Sequence, residues 1–356
     1  MTRQSDFPDG TRLLIIAAAL VAVIWGLNQA QSALVSSLVA IFLAVLGAPL
    51  VAWLKKKHVP AAGAVLIVLA GMIAILVTGG GLVSKSLSGF SASLPAYQEK
   101  IQEQAVVIQA LLEKKGISVT DKELLAYLNP AAVMKMAVNM LGGLGGALSN
   151  LVLILLTVMF ILLEAPSFPV KLRAVLGDPQ QTFPEFTKFG CDLQRYMLVA
   201  TGLNLAAGVL IGIWLTILGV ASPVLWGFLT FMLLFIPHVG SILAAIPVVC
   251  LTLVQFGPGR AALVGAGCVM INFTLGNIVW PKLMGYKLNL STLVVFLSLI
   301  FWGRTLGLIG AVLCVPFTMA VKFACEHHAS TRWIAVLLGP AVPVESPARQ
   351  HPAEKK

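Results

Sequence analysis

The sequence predicts an all-α, polytopic helical membrane protein with two broken or re-entrant helical hairpins, and three observations predict it. With 58% hydrophobic and 11% charged residues in 356, and a mean hydropathy of +0.94, the chain has too few polar side chains to cover a water-soluble globule. Apolar runs long enough to cross a bilayer recur along it, separated by short basic clusters. Two further runs, 223–256 and 288–322, are too long for one crossing of about 20 residues and tight for two, and each is interrupted near its middle by a small polar break. Helices that stop at membrane depth are tolerated where they are buried in protein or line a cavity, so such breaks point to a transport pathway.

In chain order, candidate spans are 13–27, 33–54, 61–83, 147–163, 197–218 and 261–280, besides the two hairpins. The first is read as a span and not as a cleaved signal, because Asp6 and Asp9 spoil a basic leader and another span follows at once. Lys55, Lys56 and Lys57 set the orientation. With that cluster cytoplasmic, both termini lie inside, 85–146 lies outside, and most of the 24 Lys and Arg fall on the inner side. The expected organisation is N-terminal transmembrane helices (1–84), an external helical segment (85–146), a span with a cytoplasmic linker (147–196), a first repeat unit (197–256), a second, inverted unit (257–325) and a cytoplasmic tail (326–356).

The external segment carries Leu87, Phe90, Leu94, Tyr97, Ile101, Gln104, Ile108 and Leu111 at three-four spacing, the pattern of one long amphipathic helix. It packs on its own subunit, lies on the membrane surface, or meets a neighbouring subunit. Pro95 is expected to interrupt it and Gly116 to end it. Thr120 with Glu123 forms a capping box, Asn129-Pro130 starts a further helix, and the glycines of 142–146 form a joint.

The repeat rests on Asn204 to Gly208 ahead of Ser222 and the first hairpin, matched by Asn272 to Gly276 ahead of Ser291 and the second. One unit starts inside and the other outside, an inverted plan in which solute sits near the midplane. The first break is Ile236-Pro237-His238-Val239-Gly240-Ser241, with Pro247 beyond; Pro237 removes a donor, Gly240 frees the backbone, and Ser241 is expected to cap the returning half-helix. The second is Trp302-Gly303-Arg304-Thr305-Leu306-Gly307, with Gly310 and Pro316 beyond. Candidate solute ligands are Asn204, Asn272, Asn277, His238, Ser241, Arg304 and Thr305. Each has an ordinary alternative: the asparagines tie helices together, Arg304 snorkels to headgroups, and a lone His238 is structural where no acid accompanies it.

The charge of +10 is scattered between apolar runs, which argues for membrane orientation and against a nucleic-acid partner. The five cysteines have no paired spacing, and adjacent His327 and His328 point to different helix faces, so neither disulfide nor metal is expected. With no nucleophile-base constellation, phosphate loop or zinc motif, neither enzyme activity nor a cofactor is expected.

The residues Ile236-Pro237, Gly240-Ser241 and Ile246-Pro247, then Gly276-Asn277 with Pro281, then Phe301-Trp302-Gly303 followed by Gly307, Gly310 and Pro316, are similar to the motifs of the autoinducer-2 exporter family of permeases. The resemblance covers almost the whole chain and is most specific over 190–322. It implies a bacterial inner-membrane transporter that assembles as a homo-oligomer, a pentamer, with an external helical region after the third span. Members export the quorum-sensing signal autoinducer-2, a furanose-like polyol, and others are linked to sodium or proton exchange. His238 and Arg304 depart from the family pattern, so a role for either would be particular to this chain. The leading expectation is export of a small polar signal molecule by alternating access. The alternatives are a sodium or lithium/proton antiporter, with His238 or Asp192 carrying the coupling, and a non-transporting scaffold that recruits partners through its external helix.

Overall fold

The computed structural model describes residues 30–113, 150–167, 184–237, 239–284, 290–326 and 331–339, with isolated positions between 14 and 29 and at 139, 170 and 171; the side chains of 91, 93–113 and 184–187 are not included. Among the described residues every regular element is helical. They are α1 (Gln31–Lys56), α2 (Ala61–Glu113), α3 (Leu151–Glu164), α4 (Pro184–Ile217), α5 (Pro223–Leu233), α6 (Gly240–Phe256), α7 (Pro258–Phe273), a π-helical turn (Thr274–Val279), α8 (Trp280–Met284), α9 (Thr292–Val312), α10 (Cys314–Glu326) and α11 (Arg332–Leu338). Among the described residues, five stretches are long and apolar enough to cross a membrane: Gln31–Lys56, Ala61–Phe90, Lys188–Ile217, Pro258–Met284 and Thr292–Val312. Their outer faces remain apolar and exposed, Ile75 by 72% and Val269 by 67%, as a lipid-facing surface requires.

Small residues set the close helix crossings. Ala40 and Ala44 of α1 pack on Ile154 and Val158 of α3, and Asn150 Nδ2 donates to Ser36 Oγ at 3.5 Å, so the two helices run parallel. Gly208 of α4 faces Gly227 of α5, where an added Cβ on either would lie 2.6 Å from the other's carbonyl oxygen. Gly267 of α7 receives the Trp214 indole of α4 in the same way. Backbone approach of this kind supplies packing that apolar surface alone cannot supply inside lipid.

The contacts also order the two ends of the bundle. Lys55 and Lys56 close α1, and Lys188 opens α4 at that same end, called the foot here. At the far end Ser222 adopts a left-handed backbone (φ 55°) and donates through Oγ to Ser86 O at 3.1 Å, fastening the start of α5 to α2. Antiparallel α4 and α7 are registered by Trp214 Nε1 donating to Leu263 O at 3.3 Å and by Arg195 donating to Leu283 O at 2.7 Å near the foot.

Three expectations change here. The third span and the seam-bearing helix form one element: α2 runs for 53 residues, about 80 Å, and continues through Pro95. One missing N–H opens one backbone bond, which a helix of this length absorbs. The span expected at 261–280 begins earlier, at Pro258 after Gly257 (φ 83°), and passes through the π-helical turn to Met284. Ser241 does not cap: it is the second residue of α6, the N-cap position is Val239, and no side chain caps that helix. Of the first expected span only isolated residues are described, all helical; Gly116, Thr120, Glu123, Asn129, Pro130 and 142–146 lie outside the described residues, as do the side chains of the seam from Leu94 onward.

Candidate solute pathway

Two helical hairpins interrupt the bundle from opposite ends. The first opens at the far end, at Ser222 and Gly257; its outgoing arm α5 has 11 residues and rises about 16 Å, roughly half the hydrocarbon thickness of about 30 Å. Its turn includes Leu234 to Pro237 and Val239 and ends at Gly240, where a Cβ would lie 1.9 Å from Leu233 O, so only glycine fits. Pro237 lies in this turn, His238 is outside the described residues, and Pro247 is buried inside α6, where the helix continues past it.

The second hairpin opens at the foot, where Leu290 and Glu326 line one cavity with Lys188. Its break is later than the polar residues suggest. Trp302, Gly303, Arg304 and Thr305 are helical, and the backbone departs from helix at Gly307 (φ 67°, ψ −149°) and again at Leu313. Gly303 is an ordinary helical position where a Cβ would meet the Ala311 methyl at 3.7 Å, while one at Gly310 would lie 2.0 Å from Trp302 O. Pro316 occupies the first turn of α10, a position that needs no donor. Gly307 lies beside the Gln31 side chain, the start of α1, so the exposed Arg304 sits toward the far end and away from the lysines of the foot.

The hairpins rest on one another. Leu233, Ile236 and Ala244 of the first form one buried cluster with Ala311 of the second, joined by Leu299. Beside it Phe235 packs edge-on to Phe42 of α1 and to Phe231, in a cluster that includes Tyr196, Met197 and Ala200 of α4 and Cys314 and Val315 of α10. Elements from both hairpins, α1 and α4 therefore converge on one region.

A polar seam adjoins it. Asn204 is buried on α4 one turn from Thr201, whose Oγ1 is buried with no hydrogen-bond partner. The register of α4 on α7 sets Asn204 level with Phe273, next to Asn272, whose Oδ1 is also buried without a partner. Asn277 follows on the π-helical turn and is exposed. Thr305 spends its hydroxyl on its own helix, donating to Phe301 O, and Ser241 is half-buried. Every buried polar side chain among the described residues is neutral. The sequence reading missed Thr201, whose signal was its three-residue spacing from Asn204, and the π-helical turn, a feature frequent at functional sites. Gly276 does not repeat the role of Gly208: a Cβ there would meet open space.

Comparison with known proteins bears on this arrangement. Residues 13–330 match the model of the AI-2E family transporter. The chain is 37% identical over 330 residues to the AI-2 transport protein TqsA of Escherichia coli K12, covering 93% of this chain and 96% of that one. It is 30% identical over 342 residues to YhhT of the same organism, covering 96% and 98%. Over that length the broken hairpins and the helices around them fall within the shared region, and the chain belongs to the AI-2E family of membrane transporters.

Proposed function

We propose that the protein is an inner-membrane secondary transporter that exports a small polar signal molecule, autoinducer-2, by alternating access between two inverted repeat units. The observation that carries this reading is the contact between two broken hairpins that enter from opposite ends of α4 and meet beside Ala200, one turn from the buried Asn204. Broken helices around a central site are a recurrent transporter plan. Neutral buried polar groups suit an uncharged, hydroxylated solute, and the name of the relative TqsA supports autoinducer-2 as that solute. Asn204, Asn272 and the residues of the two breaks line the site, and the repeat units rock about it. In the same reading both termini are cytoplasmic and the protein forms a homo-oligomer, a pentamer, as the family resemblance implies. Efflux of labelled autoinducer-2 from vesicles is the test. Flux above empty vesicles, reduced by Asn204→Ala, is the expected result; no flux of this solute alongside flux of another rejects the substrate.

A second reading, sodium or lithium/proton antiport, is favoured by the two partnerless oxygens Thr201 Oγ1 and Asn272 Oδ1, since hard cations take oxygen ligands. It requires sodium-dependent or lithium-dependent proton movement that Thr201→Val abolishes.

A further inference from the structure

At the foot of the bundle, away from the hairpin contact, a cavity of about 310 Å³ separates the start of α4 from the end of α10. Lys188 and Asp192 line it from α4, and Lys322 and Glu326 from α10, while Phe189 and Phe323 stack at 4.4 Å between ring centroids. Each helix thus offers one basic and one acidic residue four positions apart, which share a face. The helices run antiparallel, since Phe189 meets Phe323 while Tyr196 shares a cluster with Cys314 and Val315. That register sets Asp192 about one turn from Lys322, and Lys188 about one turn from Glu326, both within a lysine's reach. In this structure Lys322 Nζ lies 3.6 Å from Glu326 Oε1 on its own helix, and among the described residues Lys188 and Asp192 hold no ion pair.

We propose that this cavity is the inner vestibule of the pathway and closes by exchanging the pair within α10 for two cross-helix pairs, Asp192 with Lys322 and Lys188 with Glu326. The inference rests on the transport reading above. The Lys322 side chain is only 14% exposed, and a cation so placed needs a carboxylate in either state; the exchange supplies one in both. The Phe189–Phe323 stack already sets the spacing of the two helices at this level, so the exchange is made by the long side chains turning across the cavity. Phe189 and Phe323 remain stacked and keep the two helices in register as the pairs exchange.

Two measurements decide it. Charge reversals Asp192→Lys and Lys322→Asp should each lower autoinducer-2 efflux at least tenfold, and the double exchange should return it to within about threefold of wild type. A double variant no better than the singles, with all three expressed and eluting as wild type does, overturns the pairing. In the second, Lys188→Cys with Glu326→Cys, made in protein carrying Cys191→Ser and Cys325→Ser, should form a disulfide under mild oxidant, and adding Lys322→Asp should lower the yield. No cross-link, or one indifferent to Lys322, overturns the closure. Because cross-linking needs no flux, it decides this inference even where wild-type vesicles carry no autoinducer-2 and the transport reading fails.

Discussion

Gly240 and Gly310 are held as glycine by backbone, not by flexible side chains. A methyl group would lie 1.9 Å from Leu233 O at the first and 2.0 Å from Trp302 O at the second, both carbonyls of the turn being closed. Neither neighbour can rotate away, so Gly240→Ala and Gly310→Ala should each cost about 1–3 kcal/mol and lower the thermal midpoint in detergent. Gly303→Ala, with its nearest neighbour a methyl at 3.7 Å, should leave the midpoint unchanged, although both sequence motifs look alike. Thr201 offers the converse test. Its hydroxyl is buried without a partner, so Thr201→Val removes a group that costs stability where it stands. The expected outcome is a midpoint equal to or above wild type with reduced solute flux; a Thr201 that merely packs would leave flux intact.

At the scale of elements, apolar runs located the helices, because a span must bury its backbone bonds and present apolar side chains to lipid. Their boundaries followed other rules. Hydropathy falls after residue 83, yet α2 continues to Glu113, since a helix needs continuous backbone bonding and not uniform polarity. The cluster Gly303-Arg304-Thr305 looked like the second break because it is polar, whereas the backbone turns at Gly307, where a positive φ is required and the sequence shows only one more glycine. The π-helical turn left no periodic signal, its single-turn length being too short to shift one. The start of the seam was legible: Phe90 is fully buried and meets Trp226 of α5 edge-on, ring centroids 5.7 Å apart, so here α2 packs on its own subunit. Phe90→Ala should therefore cost about 3–5 kcal/mol and loosen the first hairpin, read as a lower unfolding midpoint. Leu82→Ala, on the same helix but 56% exposed, is the control and should change little.

Across the whole molecule, the opposed hairpins turn the proposed orientation into a paired test. Lys55, Lys56, Lys188, Lys282 and Lys322 gather toward the foot, while Arg260, stacked 4.4 Å over the Phe256 ring, sits at the far end beside Gly257. In the proposed orientation the foot faces the cytoplasm, the side that basic residues favour, and the first hairpin opens outward. The hairpins constrain this further, because they open at opposite ends of α4: whichever side Gly257 faces, Leu290 must face the other. A cysteine placed at Gly259, where there is open space around the backbone, should react in intact cells with a membrane-impermeant maleimide. Cys191, exposed near the foot, should react only after the membrane is opened. Labelling of both from outside would contradict the opposed hairpins themselves, whereas an exchanged pattern would keep the fold and reverse its insertion, and with it the direction in which the vestibule at Lys188 and Glu326 faces.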